Sequence, residues 1–320
     1  MSDADRRARV APELAPFLDF LPDLDFSQGI DAFRAPFADR PRAPLPAGLD
    51  VVAREERFIP GAAGAPDVRL LLYRPPQAST APRPAVLHMH GGGYVLGDPE
   101  INDASNRALA LEHGCIVVSV DYRLAPETRF PGALEDCYAA LVWMHDHAAD
   151  LGLDVSRIAT SGESAGGGHA AALALHARDR GGPAICFQLL DAPMLDDRTC
   201  VAAEPHPYCG QFVWSPDKNR FGWQALLGVE PGGAEVPDNA APARAEDLTG
   251  LPPTFISVGA LDLFLEENLE FTRRLARAGV AVELHVTPGA YHGSGMAQTA
   301  PQTLATSRLR NEALRRAFDG

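Results

Sequence analysis

The stretch that decides the fold reads Arg157-Ile158-Ala159-Thr160-Ser161-Gly162-Glu163-Ser164-Ala165-Gly166. Residues 157–161 have the character of a strand, and an alanine-rich helical run, 165–178, follows. A G-x-S-x-G pentapeptide alone is a frequent chance match. Between a strand and a helix it reads as a nucleophile elbow, a tight turn that lifts Ser164 above the sheet. Glycines are needed because a Cβ at either flank would meet neighbouring chain. The start of the next helix then favours negative charge developing on the serine oxygen. The plainer reading is a strand-to-helix turn with a capping serine.

Outward from the elbow, strands are predicted at 54–58, 68–73, 85–90, 116–120, 186–190, 254–258 and 282–287. Several are near-continuous apolar runs, as in strands covered on both faces. Helices are predicted at 104–113, 131–147, 265–278 and near 304–318. The alternation predicts an α/β fold with a mostly parallel sheet wrapped by helices. Two segments stand outside it. In the first, Leu14, Phe17, Leu18 and Leu21 recur at helical intervals, with Phe26, Phe33 and Phe37 beyond, so one or two short amphipathic helices are expected. An extended proline-rich connector, Pro41 to Pro46, follows. In the second, between Pro193 and Pro253, no strand is apparent. Trp214, Phe221, Trp223, Leu226 and Leu227 suggest a helix, and a Gly/Pro/Ala-rich loop follows at 229–244. An insertion of this size reads as a lid or cap over a site; the alternative is a helix packed on the flank of the core.

Composition narrows the function. The 320 residues are 46% hydrophobic and 22% charged, with a net charge of −14, and Lys218 is the only lysine. No basic cluster interrupts the acidity, which argues against a nucleic-acid surface. No stretch approaches the ~18 apolar residues of a membrane span, so no stable membrane insertion is expected. The first ten residues lead into no signal-type apolar run, and a cytoplasmic location is expected. Cys115, Cys137, Cys186, Cys200 and Cys209 are scattered and odd in number, which fits thiols in a reducing compartment better than a disulfide frame or a zinc site.

The second chemical motif is His90-Gly91-Gly92-Gly93-Tyr94, at the end of a predicted strand. Its glycines allow close backbone approach and inward-turned N–H groups. The N–H groups of Gly92, Gly93 and Ala165 would form an oxyanion hole for acyl transfer. Neither G-x-G-x-x-G nor a Lys-Ser/Thr ending is present, so a phosphate loop is disfavoured. A hydrolase of this kind needs a carboxylate and a histidine after the serine. Asp262 follows the strand at 254–258, and His292 follows the last strand. Asp191, at the end of another strand, is the rival acid. Glu266 and Glu267 are read as the acidic start of a helix. His88 and His90 share a strand face without a third ligand, and His90 is expected to brace the glycine loop. His145 and His147 point to different faces of one helix.

With these residues in hand, the chain resembles the bacterial hormone-sensitive-lipase-like carboxylesterases. Beyond the two motifs, the likeness rests on Asp121-Tyr122-Arg123-Leu124-Ala125-Pro126-Glu127 and Phe130-Pro131-Gly132-Ala133-Leu134-Glu135-Asp136. It also rests on Pro193-Met194-Leu195-Asp196-Asp197 and Ala241-Pro242-Ala243-Arg244. The resemblance implies an α/β-hydrolase fold of about eight strands with a helical cap. Its parts would be N-terminal cap helices and linker at 1–48, core at 49–192 and 251–320, and a cap insertion at 193–250. It implies hydrolysis of short- to medium-chain acyl esters through an acyl-enzyme, without cofactor or metal, and a largely structural role for residues 121–127. Dimers are common among look-alikes, though no sequence feature specifies one. Glu163 stands where the family usually has Asp, and Asp191 where an aromatic is frequent. Tyr94, Glu163 and Asp191 are accordingly expected near the substrate pocket, with Tyr94 on the alcohol side. Amidase, lactonase or carbamate hydrolase chemistry would use the same residues. A non-catalytic ligand receptor is the reading from another class.

Overall fold

The computed structural model describes residues 3–20, 29–38, 44–237 and 239–320. Helices α1 (Asp3–Arg7) and α2 (Ile30–Ala38), with a 3-10 turn at Ala15–Phe20 between them, precede strand β1 (Ala53–Ile59). Then follow β2 (Val68–Arg74), β3 (Arg83–Met89), α3 (Asp103–His113), β4 (Ile116–Asp121), α4 (Gly132–Asp146) and α5 (Ala148–Leu151). The second half runs β5 (Leu153–Glu163), α6 (Ala165–Asp179), β6 (Phe187–Asp191), α7 (Pro216–Leu227), β7 (Thr254–Gly259), α8 (Leu265–Arg277), β8 (Val282–Thr287) and α9 (Pro301–Asp319). Leu21, Phe26, the Phe37 side chain and the start of the connector at Pro41 lie outside the described residues.

The strands form one eight-stranded sheet in the order β1-β2-β4-β3-β5-β6-β7-β8. It is antiparallel from β1 to β4 and parallel from there to β8. Side chains alternate between two apolar layers, as the two-residue strand period requires. On β2, Leu70 and Leu72 join the layer under α4, α6 and α8, whereas Leu71 and Tyr73 join the layer under α3 and α9. Strand β7 is buried throughout, whereas edge strand β1 (AREERFI) is mostly exposed and carries four charges that discourage further pairing. Helix α6 is buried on nearly every side, which explains its small residues and the lack of a polar face.

Two expectations about elements are corrected. The helix expected at 131–147 breaks at His147, whose Nδ1 bonds Trp143 O at 3.0 Å, and restarts as α5. Strand β5 begins four residues early because Leu153 pairs with Arg83 before a register shift brings Ile158 opposite Ala85.

The segments outside the alternation meet each other. Phe33 of α2 packs in one cluster with Trp214, Trp223 and Leu226 of the insertion and with Tyr94, Ala165 and Phe264. Arg34 anchors α2 by donating to Val95 O and Ala125 O, both at 2.8 Å, and by pairing with Glu127. Helix α7 starts at Ser215, whose hydroxyl caps Lys218 N, has Pro216 at its first position and ends at Gly228 in the left-handed region. The loop after it is held where Arg244 grips buried Asp197 through two bonds, of 2.6 and 2.9 Å. That fork joins two of the motifs quoted above.

Candidate active site

The parallel strands deliver their C-terminal ends to one edge of the sheet, where loops after β3, β5, β7 and β8 converge. Ser164 sits between β5 and α6 with φ +54° and ψ −121°, a conformation a side chain rarely adopts. The turn around it is over-determined. Ser164 N donates to Asp191 O at 2.9 Å, and Ser164 O accepts from Gly168 N and Met194 N at 3.0 and 2.9 Å. Gly166 lies against the end of β3, so that a Cβ there would fall 2.1 Å from Met89 O and 2.4 Å from His90 O. Gly166→Ala should therefore cost about 1–3 kcal/mol, as overpacked sites do. A urea unfolding curve with an unchanged midpoint would contradict this.

Ser164, His292 and Asp262 form one line of hydrogen bonds. His292 Nε2 lies 2.9 Å from Ser164 Oγ, and its Nδ1 lies 2.9 Å from Asp262 Oδ2. The other carboxylate oxygen of Asp262 accepts from Phe264 N at 2.9 Å. Asp262 is 1% exposed and His292 8%. Burial pulls the imidazole pKa down, but the charge and hydrogen bond of Asp262, with the charge of Asp191, more than offset this and raise it above 6.5. Phe264 meets the imidazole edge-on at 5.0 Å. The loops carrying Asp262 and His292 are backed by the N-terminal segment, where Val10 and Leu14 pack with Leu261, Ala290 and Tyr291. The Tyr291 hydroxyl donates to Leu14 O at 3.1 Å.

The glycine loop passes beside the serine. A Cβ on Gly91 would fall 3.6 Å from Ser164 Cβ. Gly92 has φ +135°, and a Cβ there would collide with Leu96 O at 1.8 Å, so the tight turn requires glycine. Among the described residues, none accepts a hydrogen bond from the N–H groups of Gly92, Gly93 or Ala165. His90 braces the loop. Burial lowers its pKa to about 4, so the ring is neutral; Nδ1–H donates to Gly91 O at 2.8 Å. Tyr122 stacks on that ring at 4.2 Å and donates to His90 O at 2.6 Å. Arg123 forks onto Asp136 at 2.7 and 2.8 Å, and Ala125 N bonds Tyr94 O at 3.0 Å. Residues 121–127 thus act as a scaffold for the glycine loop.

The structure corrects the alcohol-side place expected for the Tyr94 hydroxyl and gives Glu163 and Asp191 partners within the protein. Tyr94 is buried and its hydroxyl donates to Met194 O at 3.0 Å, so it faces the protein, not a leaving group. Glu163 accepts from Asn102 at 3.1 Å and bonds His88 at 3.2 Å. Burial alone would raise its carboxyl, but His88 and Arg310 hold its pKa below the ordinary range. Asp191 accepts from Ser257 Oγ at 2.8 Å and pairs with Arg310 at 3.2 Å. Its backbone flanks the elbow, where Asp191 O accepts from Ser164 N, and Asp262, not Asp191, meets the histidine. Glu267 does stand in the first turn of α8 but is buried, which pushes its pKa well above the ordinary range. It accepts from Leu195 N at 2.7 Å and from the Thr199 hydroxyl, tying α8 to the insertion. Trp214 is one of the insertion aromatics that, from sequence, could line an acyl pocket or belong to the core; it lies beside both Gly93 and His292. Its only sequence signal is an aromatic placed just before the Ser215-Pro216 helix start.

Comparison with known proteins points to the same fold. A family model described as alpha/beta hydrolase fold matches residues 86–296. The esterase LipI of Mycobacterium tuberculosis is 38% identical, over 95% of this chain and 94% of its own. The carboxylesterase NlhH of the same organism is 37% identical, over 90% of this chain and 89% of its own. The solved structure of a bacterial heroin esterase superposes with a TM-score of 0.89 at 39% identity, covering 97% of this chain and 98% of that one.

Proposed function

The chain belongs to the alpha/beta-hydrolase-fold family, in its hormone-sensitive-lipase-like branch, and from that premise we propose that it is a serine carboxylester hydrolase acting on short- to medium-chain acyl esters. The observation that carries the reading is the unbroken line Asp262–His292–Ser164, with 2.9 Å at each step. Asp262 fixes the tautomer with the proton on Nδ1, which leaves the Nε2 lone pair to receive the Ser164 proton. Ser164 Oγ then bonds to the ester carbonyl carbon, and the carbonyl π electrons move onto oxygen. The N–H groups of Gly92, Gly93 and Ala165 stabilise that oxyanion; losing one such donor typically costs about 10²–10³ in rate. Collapse breaks the bond to the alkoxy group, which takes the proton from Nε2 and leaves as the alcohol. Water repeats the sequence on the acyl-enzyme, returning acid and free serine.

The N-terminal segment and the insertion act as a cap, as their shared cluster over the elbow supports. Among the described residues no helix is long and apolar enough to cross a membrane. All five cysteines are free thiols, which supports a reducing, cytoplasmic setting.

Hydrolysis of p-nitrophenyl acetate, butyrate, octanoate and palmitate tests the reading. The expected result is turnover of the short and medium chains that falls off at palmitate; no turnover of any ester by folded protein would refute it. His292 must be neutral to accept a proton, so kcat/KM should decline as pH falls through its raised pKa. The acid limb should thus lie above pH 6.5. A rate independent of pH from about 5 to 8 would remove His292 as the base.

A further inference from the structure

The Trp214 indole is wedged between the two halves of the chemistry. A Cβ on Gly93 would fall 2.2 Å from its Cη2 atom, so the ring lies against the glycine loop. On the other side it faces His292, with ring centroids 6.3 Å apart. The residue is 6% exposed and is held firmly. Its Nε1–H donates to Oδ1 of fully buried Asn219 at 3.1 Å. Val213 before it adopts φ +60°, costly for a β-branched residue, and its carbonyl accepts from Lys218 Nζ at 2.9 Å. Helix α7 makes room for the ring with Gly222, where a Cβ would fall 2.6 Å from Gly93 O and 3.6 Å from the indole.

The reaction decides what such a wedge controls. The leaving oxygen takes its proton from His292 Nε2, so the alcohol part of the ester lies on the imidazole side of the tetrahedral carbon. The oxyanion lies toward Gly92, Gly93 and Ala165. A rigid ring bordering both Gly93 and His292 therefore bounds the alcohol side.

We propose that Trp214 is a specificity-determining residue that limits the alcohol moiety, admitting slim primary alkyl and flat aryl groups and refusing bulky secondary ones. This rests on the ester-hydrolase reading above. The test compares wild type, Trp214→Ala and Trp214→Leu on ethyl, phenyl and cyclohexyl acetate, and on p-nitrophenyl acetate and butyrate. The readout is the ratio of kcat/KM values within one preparation, which does not depend on the fraction folded and reports the steps through release of the alcohol. The cyclohexyl-to-ethyl ratio should rise by about tenfold or more in Trp214→Ala, the scale of a pocket relieved of a steric limit. The butyrate-to-acetate ratio should stay as in wild type. Trp214→Leu should move the first ratio in the same direction, and it decides the matter if Trp214→Ala does not fold. An unchanged alcohol ratio in the folded variants, or a shift in the acyl ratio instead, overturns the role given to Trp214 and leaves ester hydrolysis standing. Wild type inactive on all five esters overturns the ester reading and the inference with it.

Discussion

Ser164→Ala should lower kcat by on the order of 10⁶-fold while leaving the fold intact. Only the hydroxyl is removed, and its hydrogen bond is the one to His292 Nε2. The bonds that hold the elbow use the Ser164 backbone N–H and carbonyl, which alanine keeps. Alanine carries the same Cβ as serine, so the cost of φ +54° is unchanged. The unfolding free energy should stay within about 0.5 kcal/mol of wild type, as for substitutions that disturb no packing. The remaining catalysis would come from the oxyanion hole and binding. Initial rates on p-nitrophenyl butyrate and a thermal melt separate the two effects. A variant that melts like wild type and turns over at a similar rate would contradict the assignment of the nucleophile.

Asp262→Asn should cost on the order of 10⁴-fold in kcat, with little change in KM. The geometry gives the reason. Asp262 Oδ1 accepts from Phe264 N at 2.9 Å, so the asparagine carbonyl oxygen must stay there. The amide NH₂ then faces His292 Nδ1 across the former 2.9 Å bond. Nδ1 must accept instead of donate, which places the imidazole proton on Nε2, the atom that has to receive the serine proton. The same change removes the negative charge that raises the His292 pKa, so the acid limb of kcat/KM should move to lower pH. A variant with full kcat, or with its limb unmoved, would show that Asp262 does not act on His292.

How legible this was depends on the range of the interactions. Gly162 to Gly166 was readable because the elbow is local: a strand, a tight turn and a helix in one window. The strands were readable because burial on both faces leaves largely apolar runs such as Ile116–Val120. Asp262 and His292 followed from their places after β7 and β8. What was not legible depends on partners far along the chain. Tyr94 meets Met194, Asp191 meets Arg310, and Glu163 meets Asn102, so composition near the motif could not say which way these side chains face. Glu267 carries the acidic residue of a helix start, yet its burial follows from contact with Leu195 and Thr199. The same holds for Trp214, in sequence an aromatic that could serve either an acyl pocket or the core, whose position between Gly93 and His292 exists only in the fold.

The central claim is a covalent acyl-enzyme on Ser164. The most direct test quenches the protein in acid during turnover of p-nitrophenyl acetate and maps the product peptides by mass spectrometry. The account predicts the added mass of one acetyl group on the peptide containing Ser164, and none in Ser164→Ala treated alike. Steady turnover with acetyl found on another residue, or turnover retained in Ser164→Ala, would contradict it.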